Sequence, residues 1–139
     1  MRKNQPPINI IQITDPHILA NQNDKFKGIN PHQSLNAVIS HIKSSLWNVD
    51  MIIATGDLTH DDHEKSYKNF YELLQLNNSP VFCIPGNHDT KNKILSTLPK
   101  SLFFCCEKII KNNWLIIGLD SSIEGSPEGY LEKHELDRL

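Results

Sequence analysis

VFCIPGNHDT, residues 81–90, joins a short apolar run to a tight polar turn. The run 81–84 has the length and composition of a buried strand, and a Pro-Gly pair ends it. Turn chemistry explains the proline and the glycine, but not the amide, imidazole and carboxylate that follow as Asn87, His88 and Asp89. The stretch therefore predicts a strand that delivers functional side chains at its carboxyl end.

Two earlier apolar runs end in the same way. Residues 8–14, INIIQIT, lead to Asp15 and His17, and residues 51–55, MIIAT, lead to Asp57 after a glycine. Helical patterns separate the three runs, so the order predicts right-handed βαβ units and a parallel sheet. Ligands bind outside the carboxyl ends of the strands in such sheets. We therefore expect all three polar clusters at one edge.

The segments between these strands carry helix signals. Asn30 is a suitable N-cap, Pro31 suits the first helical position, and Gln33 completes a capping-box-like arrangement. The apolar stripe of this helix comprises Leu35, Val38, Ile39, Ile42 and Leu46. Asp61, with Glu64 three residues later, predicts the start of a second helix. Its apolar face, which we expect to be core rather than an aromatic site, comprises Tyr67, Phe70, Tyr71 and Leu74.

The last third of the chain changes pattern. KNKILSTL, residues 91–98, predicts a short helix, and strand-like runs follow around Leu102–Ile110 and Trp114–Leu119. The KNN between these runs predicts a hairpin turn. The final residues, EKHELDRL, predict a helix with Leu136 and Leu139 on an apolar face. We expect residues 1–139 to belong to a single domain.

Composition narrows the class of protein. The net charge of −2 gives no broad attraction to nucleic acid or to an anionic membrane. The apolar runs fall short of the ~20 residues that span a bilayer, and no signal peptide is predicted. Cys83, Cys105 and Cys106 follow no metal-ligand spacing and are expected to be buried free thiols. These features predict a cytoplasmic protein without nucleic-acid or membrane partners.

The polar clusters suit a pair of divalent metal ions. Their carboxylate, imidazole and amide groups are ligands for Mn²⁺, Fe²⁺, Mg²⁺ or Zn²⁺. Asp15 and His17, with a stiffening proline between them, can reach one ion, and Asp57 can bridge two ions ~3.5–4 Å apart. Such a pair lowers the pKa of bound water and neutralises phosphoryl charge. Each motif alone is ordinary turn or capping chemistry, so their recurrence at three strand ends is what indicates a metal site.

The motifs DPH, GD and GNHD resemble those of the calcineurin-like metallophosphoesterases. Longer stretches are similar to the bacterial 3′,5′-cyclic nucleotide phosphodiesterases, which hydrolyse cyclic AMP to AMP. These stretches are IQITDPHILA, GINPHQSLNAVISHI, DMIIATGDLTHD, PVFCIPGNHD and LIIGLDSSIEGSPEGYL. The resemblance covers nearly all of residues 8–139. It implies an α/β fold, a metallophosphoesterase-type β-sandwich flanked by helices, and a small cyclic nucleotide as substrate.

The resemblance also implies a set of metal ligands. Asp15 and His17 would bind the first ion, Asp57 would bridge the two ions, and Asn87 would bind the second. His17 and Asn87 are expected to contact the substrate as well.

The catalytic residues implied by the resemblance are His88 and Asp89. His88 would bind the substrate without being a metal ligand, and it would stabilise the phosphoryl transition state or protonate the leaving 3′ oxygen. Asp89 would hold the imidazole of His88 in its working orientation. The remaining histidines are expected mostly to face solvent; they are His32, His41, His60, His63 and His134.

The family pattern continues beyond residue 119 with two further histidine motifs, whereas this sequence ends at EKHELDRL. We therefore expect the chain to carry roughly the N-terminal half of the domain, with an incomplete second metal site. Reduced or absent phosphodiesterase activity is expected, together with self-association or pairing with a complementing C-terminal fragment. Two other readings stay open: a nuclease or phosphatase of the same superfamily, and a non-enzymatic remnant that binds phosphate or a partner.

Overall fold

The computed structural model describes residues 6–45, 47–76, 78–123 and 125–139. Four strands form a parallel sheet in the order β1-β2-β3-β4. They are β1 (Ile10–Ile13), β2 (Met51–Thr55), β3 (Val81–Ile84) and β4 (Phe103–Cys105). The connecting helices are α1 (Pro31–Ser44), α2 (Glu64–Leu73) and α3 (Lys91–Thr97). The predicted α/β fold with a parallel sheet is confirmed.

The three helices cover one face of this sheet. The strands are added in chain order, and right-handed crossovers that all advance in one direction place their helices on the same side. A row of buried side chains crosses the sheet in register on that side, comprising Ile13, Ala54, Cys83 and Cys105. The three cysteines are buried free thiols, as predicted. On the other face, the rings of Phe82 and Phe104 stack with centroids 5.0 Å apart.

Helix α1 begins at the predicted cap. The Asn30 side chain accepts a hydrogen bond from the Gln33 N–H at 2.8 Å, and Pro31 occupies the first turn. Most of the predicted stripe is buried, namely Leu35, Ile39 and Ile42. Val38, another member of the stripe, is 50% exposed. Leu46 lies outside the described residues.

Helix α2 begins at a different cap from the predicted one. His63 is the N-cap, and its Nδ1 accepts from the Lys65 N–H at 3.1 Å. Asp61 instead accepts from the Ala20 N–H at 3.1 Å and from the Ser66 hydroxyl, so it fastens the loop after β1 to α2. The predicted apolar face of α2 is confirmed: Tyr67, Phe70 and Leu74 are fully buried, and Tyr71 is half-buried.

The segment predicted as one strand around residues 102–110 is divided in two. β4 belongs to the parallel sheet, and β5 (Lys108–Lys111) forms an antiparallel hairpin with β6 (Trp114–Ile117). Cys106, with a positive φ of 55°, ends the first strand. The predicted KNN turn is confirmed. A second small hairpin follows, formed by β7 (Ser122–Ile123) and β8 (Ser126–Gly129).

The terminal helix α4 (Lys133–Leu136) buries a charge rather than an apolar face. Leu136 and Leu139 are 48% and 75% exposed, so the predicted apolar face was wrong. Glu135 is buried instead, where its carboxylate pairs with Arg138 and lies 3.7 Å from the Lys91 ammonium. Because a buried carboxylate needs such partners, these ion pairs decide which side of α4 faces inward.

None of the helices within the described ranges has the length and apolar character that crossing a membrane requires.

Candidate metal centre

The loops that follow the first three strands are hydrogen-bonded to one another. The Asp15 N–H donates to the Gly56 carbonyl at 3.2 Å. The His17 N–H donates to the Asp57 carbonyl at 3.0 Å. The Gly56 N–H in turn donates to the Ile84 carbonyl at 3.1 Å. The polar clusters predicted at the carboxyl ends of the strands therefore lie side by side.

Three predicted metal ligands meet at this edge. The possible ligand atoms of Asp15, His17 and Asp57 all lie within 4.8 Å of one another. His17 Nε2 lies 3.6 Å from an Asp57 carboxylate oxygen, and both side chains are mostly buried, with 18% and 13% of their surface exposed. Two carboxylates held this close repel each other, and a divalent cation would remove that repulsion. The donor set therefore fits a divalent ion.

The backbone at these three residues is strained. Asp15, His17 and Asp57 have φ values of 52°, 45° and 47°. L-amino acids rarely adopt this left-handed region, and such strain is concentrated at functional sites. The hydrogen bonds between the loops hold the residues in this conformation.

The turn after β3 reaches Asp57 through its backbone. The His88 N–H donates to Asp57 Oδ1 at 3.1 Å. Gly86 lies so close that a Cβ atom there would be 2.1 Å from the same oxygen, which no side chain permits. Gly86 is thus required for this close approach rather than for the turn itself. Asn87 is exposed on the turn, and its role as a ligand of a second ion stays a prediction.

Asp89 joins the ends of two strands. Its carboxylate accepts hydrogen bonds from the N–H groups of Gly86 and Leu58, both at 2.9 Å, and of Thr59 at 3.0 Å. The buried Tyr67 hydroxyl bonds it at 3.1 Å. Burial raises the pKa of Asp89, against the opposing effect of these donors. Burial also raises the pKa of Tyr67, and the neighbouring charge of Asp89 raises it further. The sequence analysis missed the contact of Tyr67 with the site because the spacing of this residue indicated only core packing.

The predicted contact between Asp89 and His88 is wrong. Both Asp89 oxygens are taken up by the donors just described, whereas His88 Nδ1 lies 2.9 Å from the carbonyl oxygen of His60. A carbonyl can only accept, so Nδ1 is the protonated ring nitrogen and Nε2 is left free for the site. The group that orients His88 therefore comes from the loop after β2.

His60 lies at the site, contrary to the prediction that it faces solvent. Its ring stacks on His88 with centroids 4.7 Å apart and lies 5.5 Å from the ring of His17. Burial lowers the pKa of His60, and the neighbouring His88 and His17 lower it further, which favours the neutral ring. Phe26 also contacts the His60 ring, with centroids 4.1 Å apart and planes inclined by 36°. Because these contacts depend on how two loops approach each other, local sequence patterns gave no signal for them.

Comparison with known proteins identifies relatives that share this sequence pattern. Residues 8–137 match the calcineurin-like phosphoesterase family. The chain is 35% identical over 136 residues to the 3′,5′-cyclic adenosine monophosphate phosphodiesterase CpdA of Haemophilus influenzae, covering 97% of this chain and 50% of that protein.

Two further relatives give the same coverage pattern. The chain is 33% identical to the phosphodiesterase of the same name from Escherichia coli, covering 95% of this chain and 48% of that protein. It is 37% identical to a probable cyclic nucleotide phosphodiesterase of Vesicomyosocius okutanii, covering 94% and 53%. The chain thus spans about half the length of the relatives that it matches.

Gly86→Ala is expected to displace the Asp57 carboxylate and to lower the affinity for Mn²⁺ by about tenfold or more. The added methyl group would lie 2.1 Å from Asp57 Oδ1 and 2.3 Å from the Asp57 nitrogen. Isothermal titration calorimetry measures the change. Gly125→Ala is the control for backbone strain alone: its φ of 74° disfavours alanine, but a Cβ atom there meets nothing within 4 Å, so the Mn²⁺ affinity should stay unchanged. Unchanged Mn²⁺ affinity in Gly86→Ala would contradict the close approach.

Asp89→Asn is expected to lower the free energy of unfolding by about 1–3 kcal/mol without metal. An amide NH₂ group would face main-chain N–H donors, so at least one of them would lose its acceptor. Urea denaturation measures the loss. Asp24→Asn is the control, because Asp24 is exposed and its carboxylate accepts a hydrogen bond from the Asn21 side chain at the surface. Equal stability of the two variants would show that Asp89 does not hold the strand ends together.

Proposed function

The chain belongs to the calcineurin-like phosphoesterase family, and from this premise we propose that its function is that of a metal-dependent phosphodiesterase. The proposed reaction is the hydrolysis of 3′,5′-cyclic nucleotides, converting cyclic AMP to AMP. The observation that carries the proposal is the group of Asp15, His17 and Asp57 at the carboxyl edge of the sheet. The names of the relatives support the cyclic substrate.

Each ligand has a proposed place. Asp15, His17 and Asp57 would hold one divalent ion, and Asp57 with Asn87 would contribute to a second. When bound, such ions activate water and neutralise phosphoryl charge. Mn²⁺, Fe²⁺, Mg²⁺ and Zn²⁺ all suit these oxygen and nitrogen donors.

His88 has the proposed catalytic role. Its main-chain N–H is bonded to Asp57, and its Nδ1 is bonded to the His60 carbonyl, so the ring is fixed beside the candidate metal ligands. Hydrolysis breaks the bond between phosphorus and the 3′ oxygen, and this oxygen must gain a proton as it leaves. The imidazolium form of His88, which carries a proton on each ring nitrogen, would supply that proton from Nε2 or stabilise the charge of the transition state. Asp89 has no direct part in this scheme.

A cavity beside the ligands favours a nucleoside-sized substrate over a bare phosphate ester. It has a volume of about 490 Å³ and lies against Asp15 and His17. Phe26, Ile29 and Leu35 give it a largely apolar wall. Apolar and aromatic walls with a few polar groups are characteristic of small-molecule sites.

Several properties of the chain stay predictions. They are a cytoplasmic location, the lack of nucleic-acid and membrane partners, self-association or pairing with a complementing C-terminal fragment, and weak or absent turnover by the 139 residues alone.

Hydrolysis assays with added Mn²⁺ test the proposal. The chain is assayed alone and fused to the remaining half of the Haemophilus influenzae relative, with the isolated remaining half as the control. We expect the fusion to convert cyclic AMP to 5′-AMP, detected by chromatography, and to lose activity with a chelator. Hydrolysis of linear phosphodiesters or phosphoproteins without hydrolysis of cyclic AMP would favour a nuclease or phosphatase instead.

Asp57→Asn is expected to reduce both metal content and turnover of the active fusion more than Asp15→Asn. A bridging carboxylate serves both ions, whereas Asp15 serves one. We expect the Asp57 variant to exceed the about 10- to 100-fold loss typical of residues outside the ligand shell. Metal analysis and initial rates on both variants provide the comparison. Equal losses in the two variants would count against the bridge.

A further inference from the structure

Three aromatic rings are in contact beside the candidate metal ligands. Phe26 and His60 have ring centroids 4.1 Å apart with planes inclined by 36°. His60 and His88 stack, with centroids 4.7 Å apart and planes inclined by 29°. His17 meets His88 edge-on, with centroids 5.0 Å apart. His60 therefore contacts both Phe26 and His88.

Residue 60 constrains His88 in two ways. Its carbonyl oxygen lies 2.9 Å from His88 Nδ1, which fixes the tautomer through the main chain. Its ring covers one face of the His88 imidazole, which fixes the plane of that ring. The carbonyl is present whatever the side chain at residue 60, but His88 Nδ1 reaches it only while that side chain holds the His88 ring in this plane.

Phe26 is held in place by a tight turn. The Phe26 N–H donates to the Ile29 carbonyl at 2.8 Å, and the Ile29 N–H returns a bond of 3.0 Å. Lys27 and Gly28 between them have φ values of 48° and 83°, the pattern of a two-residue hairpin turn. Lys27 places its ammonium 5.0 Å from the centre of the Phe26 ring. This turn therefore presents Phe26 as a fixed support for His60.

Joint coordination of an ion is the competing explanation for the three histidines. Possible ligand atoms of His17, His60 and His88 lie within 4.8 Å of one another. An imidazole binds a metal in the plane of its ring, however, and the nearly parallel rings of His60 and His88 turn their faces to each other. Within the described structure, the buried His60 Nδ1 has no hydrogen-bond partner, so this nitrogen does not tie the ring to the loop. The geometry favours stacking.

We infer that His60 is a positioning residue, which holds the imidazole of His88 in its working orientation by stacking on it, while Phe26 supports the His60 ring. The inference rests on the proposed catalytic role of His88. The aromatic surface of residue 60 matters here, and its imidazole nitrogens do not.

The test compares His60→Phe, which keeps an aromatic ring, with His60→Ala, which removes it. Two-bond ¹⁵N–¹H spectra of the labelled protein report which nitrogen of His88 carries the proton. We expect His60→Phe to keep His88 protonated at Nδ1 and His60→Ala to give mixed tautomers or broadened signals. In the active fusion, His60→Ala should lower kcat by about 10- to 100-fold while His60→Phe retains most of it. Mn²⁺ affinity should stay unchanged in both.

Phe26→Leu removes the supporting ring without touching residue 60, so it provides an independent arm if His60→Ala fails to fold. It should broaden the His88 signals in the same way. His41→Ala, which removes an exposed histidine on α1, is the matched control and should change neither the spectra nor the rate.

Two results would overturn the inference. Loss of Mn²⁺ affinity in both His60 variants would make His60 a metal ligand. An unchanged His88 tautomer and rate in His60→Ala would deny it any positioning role. The spectra need no substrate, so failure of the fusion to hydrolyse cyclic AMP would count against the proposed function while leaving the spectroscopic result decisive for His60.

Discussion

The candidate centre depends on the hydrogen bonds that the Asp89 carboxylate accepts from two loops. This carboxylate binds N–H groups of Leu58 and Thr59, which follow β2, and of Gly86, which follows β3. Main-chain N–H groups beyond a strand end have no ladder partner, and burying them unpaired is costly. One side chain satisfies three of them and so fixes the distance between the two loops. The positions of Asp57 and His88 follow from that distance.

The same loops store strain that the surrounding structure offsets. Asp15, His17 and Asp57 each have a left-handed backbone, at a cost of order 1–3 kcal/mol for each residue. The hydrogen bonds that pair the loop after β1 with the loop after β2 offset this cost. The result is a pair of carboxylates and an imidazole held together before any ion binds, which lessens the ordering required on binding.

The sequence predicted those parts of the molecule that local chemistry decides. The apolar runs at β1, β2 and β3 and the polar residues that end them are properties of short segments, so both were predicted correctly. The partners of Asp89 and the place of His60 depend on how separate loops meet. The spacing of residues within one segment does not indicate such contacts. Glu135 illustrates the same limit: its burial follows from pairing with Lys91 and Arg138, whereas the spacing of the leucines suggested the opposite face.

The sequential strand order has a consequence for biosynthesis. Each strand pairs with the one made just before it, and the hydrogen bonds described for the loops with Asp15, His17 and Asp57 join residues that precede position 90. Ribosomes deliver roughly 5–20 residues per second, and N-terminal segments are free to fold first. The three loops can therefore assemble on the nascent chain once Asp89 has left the exit tunnel. The loops of the candidate centre are therefore synthesised in the same order in which they pair with one another.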